Sequence, residues 1–259
     1  MLQCMKIQID EICRYPVKGL AADIISETNL VPGEGLPYDR RWGIIHASSD
    51  VDPAAPAWAP KKNFLMLARD EKLAQLGLEF DEENGQLTIT RKGKPVSRGV
   101  IRDHIGRQTL QTFLSAFMPT GSRGMPKIVE APASDGFTDT QPNFVSLINL
   151  ASVKDLEERV LQQPVHPHRF RGNLYFSGAT PWVEGDWIAK KIKIGDVILA
   201  VEEMIGRCAA TNVNPENGEV DMNVPLSLRR GFGHMDMGIY ARVIEGGTIR
   251  QGDEITLVD

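Results

Sequence analysis

The sequence predicts an α+β chain that is predominantly β, and three observations lead there. Short apolar runs separated by glycine-containing turns recur through the second half, at residues 191–194, 197–201, 238–243 and 254–258; this pattern predicts a barrel or sandwich. In the first half, residues 76–80 and 86–90 flank Glu83-Asn84-Gly85, a hairpin signal. Only two segments carry helical spacing, one through Leu110, Phe113, Leu114 and Phe117 and one through Val153, Leu156, Val160 and Leu161. At 259 residues the chain is long enough for one large domain or two modest ones.

In chain order, residues 6–14 alternate in character and predict a strand that runs into Tyr15-Pro16-Val17-Lys18-Gly19. Residues 24–30 predict a second strand, followed by a turn at Pro32-Gly33-Glu34-Gly35. A third strand, 41–46, is introduced by the pair Arg40-Arg41. Pro53, Pro56 and Pro60 make residues 51–60 a loop. After the hairpin comes a helix over 108–117, ended by Pro119 and Gly121, and then a short strand at 127–130.

Residues 131–142 mix proline, aspartate, threonine and glycine, the composition of a linker or active-site loop. The domain boundary is placed inside it, dividing 1–135 from 136–259. A strand at 144–148 and a helix opening at Asn149 follow, with Pro164, Pro167 and two histidines closing the helix. The remaining strands start with 174–176, and Gly195-Asp196 and Gly252-Asp253 supply hairpin turns.

Bulk properties exclude several classes. Hydrophobic content of 42% and charged content of 24% are ordinary for a soluble globular protein. A net charge of −5 with no block of lysine and arginine argues against nucleic acid as a partner. No apolar run approaches the ~20 residues that cross a bilayer, and no signal-peptide core is seen, so neither membrane association nor export is expected; the expected location is cytoplasmic. Cys4, Cys13 and Cys208 contain no Cys-x-x-Cys pair, which leaves no zinc ribbon or ferredoxin-type cluster. Cys4 and Cys13 are expected to be reduced and structural. Fingerprints for a dinucleotide, a Walker A loop and a hydrolase elbow are all missing.

The chemistry concentrates between Met204 and Glu219. An apolar run breaks at Gly206 and delivers Arg207 and Cys208 to a turn rich in asparagine, proline and glycine. A guanidinium beside a thiol favours the thiolate, the form that binds a soft metal centre. By itself a lone cysteine reads first as a small buried filler, and Arg207 as a surface charge. Arg207-Cys208-x-x-Thr211-x-Val213-x-Pro215-x-x-Gly218 resembles the core motif of the MOSC family, the molybdenum-cofactor sulfurase C-terminal domains. That family includes the mitochondrial amidoxime-reducing component and its bacterial relatives.

The resemblance implies an N-terminal MOSC-associated, β-barrel-like domain over 1–135 and a MOSC β-barrel domain over 136–259. By the same resemblance, Cys208 is the thiolate ligand to molybdenum and the catalytic centre. Tyr15-Pro16-Val17-Lys18-Gly19 is similar to the family's opening Tyr-Pro-Val-Lys-Ser, in which the lysine holds the cofactor's phosphate. Gly19 replaces the serine and offers only its backbone N–H. Asp39-Arg40-Arg41-Trp42 resembles a family pattern that gives Arg40 a cofactor role and turns Arg41 away. Phe170-Arg171-Gly172-Asn173 resembles the Phe-Arg-x-Asn motif, with Arg171 on a phosphate or pterin oxygen and Asn173 on a pterin edge. Arg207 and Thr211 fall in the core motif, and Asn149 stands where the family has a serine at a helix entry. Lys61-Lys62-Asn63-Phe64 is a weaker match, and Arg229 to His234 is read as a substrate-side loop. His166 and His168 could suggest a metal, but no third ligand lies near them in sequence, so none is expected there.

The implied activity is a molybdenum-dependent oxidoreductase that reduces N-hydroxylated or N-oxide compounds. No iron–sulfur, flavin or NAD site is encoded and the sequence stops at Asp259, so electrons are expected from a separate ferredoxin or flavin reductase. The competing expectations are a sulfur carrier with a persulfide on Cys208 and a non-catalytic cofactor-binding module.

Overall fold

The computed structural model describes residues 6–132, 136–141 and 143–258. Cys4, Asp135 and Asp259 lie outside them. The elements of the first half are β1 (Gln8–Arg14), β2 (Asp23–Ile25), β3 (Glu27–Leu30), β4 (Trp42–Ile45), β5 (Leu76–Asp81), β6 (Gln86–Arg91), β7 (Lys94–Val100), α1 (His104–Phe117) and β8 (Lys127–Glu130). The second half adds β9 (Val145–Asn149), α2 (Leu150–Leu156), β10 (Leu174–Ser177), β11 (Lys191–Ile194) and β12 (Val197–Gly206). It ends with α3 (Val224–Phe232), β13 (Asp236–Glu245), β14 (Gly247–Arg250) and β15 (Ile255–Val258). The chain is therefore mostly β.

Eight strands pair in the order β15-β11-β12-β13-β9-β10-β1-β2. All pairings are antiparallel except β9 with β10, which lie parallel because α2 and the turns after it carry the chain back across the sheet. Bulges in β12 and β1 bend the strands. The sheet then closes on itself: Ile9 N–H donates to Asp253 O at 2.9 Å, Gly252 N–H to Ile9 O at 2.7 Å and Ile255 N–H to Ile7 O at 2.8 Å. Closure covers the free edge of β15 and the N-terminal end of β1, which β2 does not reach. Alternating side chains of these strands, among them Ile12, Leu147, Leu199 and Ile239, fill the interior at 0% exposure.

A second core lies under α1, β4, β8 and the three-stranded sheet β5-β6-β7. Leu110 and Leu114 of α1 insert into it beside Trp42, Ile44 and Ile89. Asp103 caps the helix, accepting from Gly106 N–H at 2.6 Å.

The expected boundary at 135/136 falls between β8, which packs on the second core, and β9 of the eight-stranded sheet. It leaves three N-terminal strands on the far side, since β1 and β2 belong to the eight-stranded sheet and β3 pairs with β14. The second-half barrel is thus completed by residues from the first half. Among the described residues no helix is long and apolar enough to cross a membrane.

Local differences from the sequence reading have local causes. The strand expected over 24–30 breaks at Ser26, so that its two pieces serve different sheets. β7 escapes notice because Lys94, Pro95 and Val96 are exposed and its pairing with β6 comes from backbone bonds. Arg229 and Arg230 sit in α3, not in a loop. Asn223 caps this short helix, accepting from Leu226 N–H, and Pro225 sits in its first turn, where its missing N–H costs nothing.

Candidate functional site

A cleft of about 400 Å³ opens where the two cores meet. Lys18, Gly19, Arg40, Arg171, Asn173, Arg207, Cys208 and Thr211 all line it, drawn from opposite ends of the chain. Six cationic side chains (Lys18, Arg40, Lys61, Arg169, Arg171 and Arg207) face three carboxylates (Asp39, Asp139 and Glu203), so the cleft favours an anion.

Cys208 leads out of β12 into the turn Ala209–Asn212 and is partly exposed. Thr211 Oγ1 donates to Cys208 O at 2.9 Å, closing that turn. Arg207 does not pair with the thiol. Its Nε donates to Met237 O at 2.8 Å and its Nη1 to Phe170 O at 2.8 Å, stapling the turn to neighbouring backbone. Burial brings the pKa of Arg207 down to about 10, which leaves it charged at neutral pH. The cation that answers the Cys208 sulfur is Lys61. Burial works against the Lys61 charge, but Asp139 and then the Cys208 sulfur outweigh it, and the lysine pKa rises.

Lys18 is 8% exposed and reaches across the cleft, donating to Phe137 O at 2.7 Å and Asp139 Oδ1 at 2.6 Å. Burial lowers its pKa, with Asp139 opposing. Gly19 adopts φ +90°, and a Cβ there would lie 2.9 Å from Leu65 O. Glycine is required at this position, and the family's serine would be strained.

Arg40 and Arg171 are the unusual pair. Both hold positive φ, 51° and 50°, which costs a non-glycine residue on the order of 1–3 kcal/mol. Their guanidiniums pack over the same Tyr15 ring at 4.4 and 4.2 Å, and Arg40 Nη2 donates to Arg171 O at 2.9 Å. Arg40 also pairs with Asp39; burial opposes its charge, yet Asp39 prevails and the pKa rises. Arg171 donates to Leu20 O at 2.8 Å, and burial lowers its pKa. Among the described residues Arg171 forms no ion pair, which leaves net positive charge at this wall.

Two expected ligands are committed elsewhere. Asn173 accepts from Ser146 N–H and Oγ at 3.1 and 2.8 Å and donates to Cys13 O at 3.2 Å, tying β1, β9 and β10 together. Asn149 is absent from the cleft. It caps α2 by accepting from Ala151 N–H at 3.0 Å, and it donates to the buried Glu184 at 2.8 Å and to Thr180 O. The serine-like position is occupied by a structural cap.

Several residues at the cleft have no clear signal in the sequence. Arg169 is 3% exposed, grips Asp221 bidentately at 2.7 Å and donates to Asn212 O, so it anchors the loop behind Cys208. Asp139 is the shared partner of Lys18 and Lys61; burial opposes its charge, but those lysines and Arg40 hold its pKa below the usual range. Its position in the proline- and threonine-rich segment was the available hint. Lys61 belonged to the weakest of the basic matches, and only the fold places it at the thiol.

The MOSC domain family model matches residues 137–256, which include Arg171, Asn173, Arg207 and Cys208. Mitochondrial amidoxime-reducing component 1 of Mus musculus is 30% identical over 54% of this chain and 43% of its own length. Molybdenum cofactor sulfurase of Oryza sativa subsp. japonica is 27% identical over 93% of this chain and 33% of its own. The chain thus spans less than half the length of either relative. Among solved structures, the YUAD protein of Bacillus subtilis aligns with TM-score 0.45 at 11% identity, covering 97% of this chain and 94% of that one.

Proposed function

Because residues 137–256 match the MOSC domain family model, we propose that the cleft binds a mononuclear molybdenum cofactor and reduces N-hydroxylated or N-oxide compounds. The observation that carries this reading is the partly exposed Cys208 thiol in a cleft with excess positive charge. The donor set fits the group. A single accessible thiolate suits a soft or sulfur-rich metal, and Arg171, Arg40, Lys18 and Lys61 suit a phosphate. The cofactor supplies the two-electron redox chemistry when bound.

The chain's own residues do the positioning. Arg171 and Arg40 present fixed guanidiniums held on the Tyr15 ring, so little side-chain freedom is lost when an anion binds. Lys18 and Lys61 share Asp139, which keeps both amines aimed into the cleft. Gly19 leaves its backbone close to the bound group. Thr211, Arg207 and Arg169 hold the Cys208 turn, and Asn173 holds the strands beneath it. In this reading electrons come from a separate ferredoxin or flavin reductase.

The test is metal analysis of protein made in a cofactor-competent host, followed by reduction of an amidoxime, first with NADH and then with a reduced viologen. Molybdenum near one equivalent and turnover with the viologen alone support the proposal. Efficient turnover on NADH without a partner removes the separate donor, and a metal-free active protein removes the cofactor.

A second reading has its own support. Relatives named molybdenum cofactor sulfurase align over 93% and 99% of this chain, whereas the amidoxime-reducing relatives align over about half. In that reading Cys208 carries a persulfide. Detection of cyanolysable sulfur on Cys208, without molybdenum, would favour it.

A further inference from the structure

We propose that Glu11, Cys13 and His168 bind a single divalent cation of the zinc class, at a site separate from the Cys208 cleft and independent of the cofactor reading. The histidine pair looked unsupported in sequence because no third ligand stood near. The fold supplies two, from 155 and 157 residues away. Cys13 Sγ lies 3.8 Å from His168 Nε2 and 3.8 Å from Glu11 Oε2, and His168 Nε2 lies 2.7 Å from the same carboxylate oxygen. Thiolate, imidazole and carboxylate around a tetrahedral zinc ion stand roughly 3.3–3.6 Å apart, given metal–ligand bonds of about 2.0–2.3 Å. Small side-chain rotations convert one arrangement into the other.

The supports are rigid. Glu11 and Cys13 are two apart on β1 and share one face of a strand paired on both sides. His168 sits in the turn Pro167–Phe170, with its N–H donating to His166 Nδ1 at 3.1 Å. Charge also favours a cation: burial raises the Cys13 pKa, and Glu11 beside it raises it further. A divalent ion would relieve that repulsion and take the place of the thiol proton. Access is open, because the Glu11 and His168 side chains are 42% and 21% exposed and His168 lines a groove of about 160 Å³. Three protein ligands leave a fourth position for water. Arg169 and Arg171 follow His168 directly, so an ion here would pin β1 to the turn that carries them.

The experiment titrates chelator-stripped full-length protein with Zn2+ by calorimetry and with Co2+ by absorbance. One equivalent is expected to bind with Kd below about 1 µM, and Co2+ should give a thiolate charge-transfer band. Glu11→Gln, on a partly exposed side chain that leaves the core intact, is expected to weaken Zn2+ by at least about tenfold, and His168→Ala and Cys13→Ser by about 100-fold. Circular dichroism checks that each variant is folded, and Cys208→Ser is expected to bind Zn2+ as the wild type does. The proposal is overturned by absence of binding in the wild type, by loss of binding in Cys208→Ser, or by unchanged affinity in folded Glu11→Gln and His168→Ala.

Discussion

Cys208 and Cys13 are the same side chain in opposite surroundings. Cys208 ends a barrel strand at the rim of a cleft, half-buried, with Lys61 facing its sulfur and arginines beyond. Cys13 lies within a strand at 0% exposure, with a carboxylate as its nearest charge, and that environment drives its pKa up. Burial beside an anion stabilises the thiol at Cys13. The first setting suits a standing ligand to an anionic cofactor. The second holds a neutral thiol until a cation replaces its proton.

The sharpest way to break this contrast is substitution at the two sulfurs. Cys208→Ser is expected to abolish amidoxime reduction with the fold intact, because a hydroxyl does not replace a thiolate on a soft centre. Cys13→Ala is expected to keep molybdenum. Metal analysis and viologen-driven turnover of both variants check this, and normal activity in Cys208→Ser would refute its role as ligand.

Next in size are the cations around Cys208. Arg171→Ala and Lys18→Ala are each expected to weaken cofactor retention by about 1.5–3 kcal/mol, or roughly 10- to 100-fold, by removing a charge-assisted bond. The readout is molybdenum content after dialysis. Unchanged occupancy in both would put the phosphate elsewhere.

A smaller effect is expected away from the cleft. Asn149→Ala should cost about 1–2 kcal/mol of stability through loss of a helix cap, with cofactor content unaltered. Thermal unfolding and metal analysis together separate this from a ligand role, in which occupancy would fall first.

The smallest effect concerns Glu184, at 0% exposure and bonded to Asn149 and Ser152. Burial raises its pKa above the ordinary carboxylate range, those bonds opposing. A raised carboxyl pKa means the native state holds its proton more tightly than the unfolded chain does. The associated stability is present below the unfolded pKa and is lost as pH rises through the folded one. Glu184→Gln is therefore expected to lose less stability than wild type between pH 4 and pH 8. Denaturant unfolding at the two pH values measures it.

Much of this was legible along the chain. Local alternation and turn residues specified β1, β4, β5, β6, β8 to β13 and β15 in outline, and helical spacing specified α1 and α2, because these signals arise from neighbours within one element. Short contiguous motifs likewise singled out Cys208, Lys18, Arg40 and Arg171, which the fold brings to one cleft. Other features depended on partners far away in sequence. Closure of the barrel by β1 rests on backbone bonds between Ile9 and residues 252–253, which no side-chain pattern encodes. Asn149 and Asn173 have the right chemistry for a ligand, and only their surroundings assign them to a cap and a strand staple. Lys61 meets Cys208, and His168 meets Glu11 and Cys13, through tertiary packing alone. Sequence determined which groups the chain carries and the local form of its segments; proximity, and the charge state that follows from it, was decided when the two cores came together.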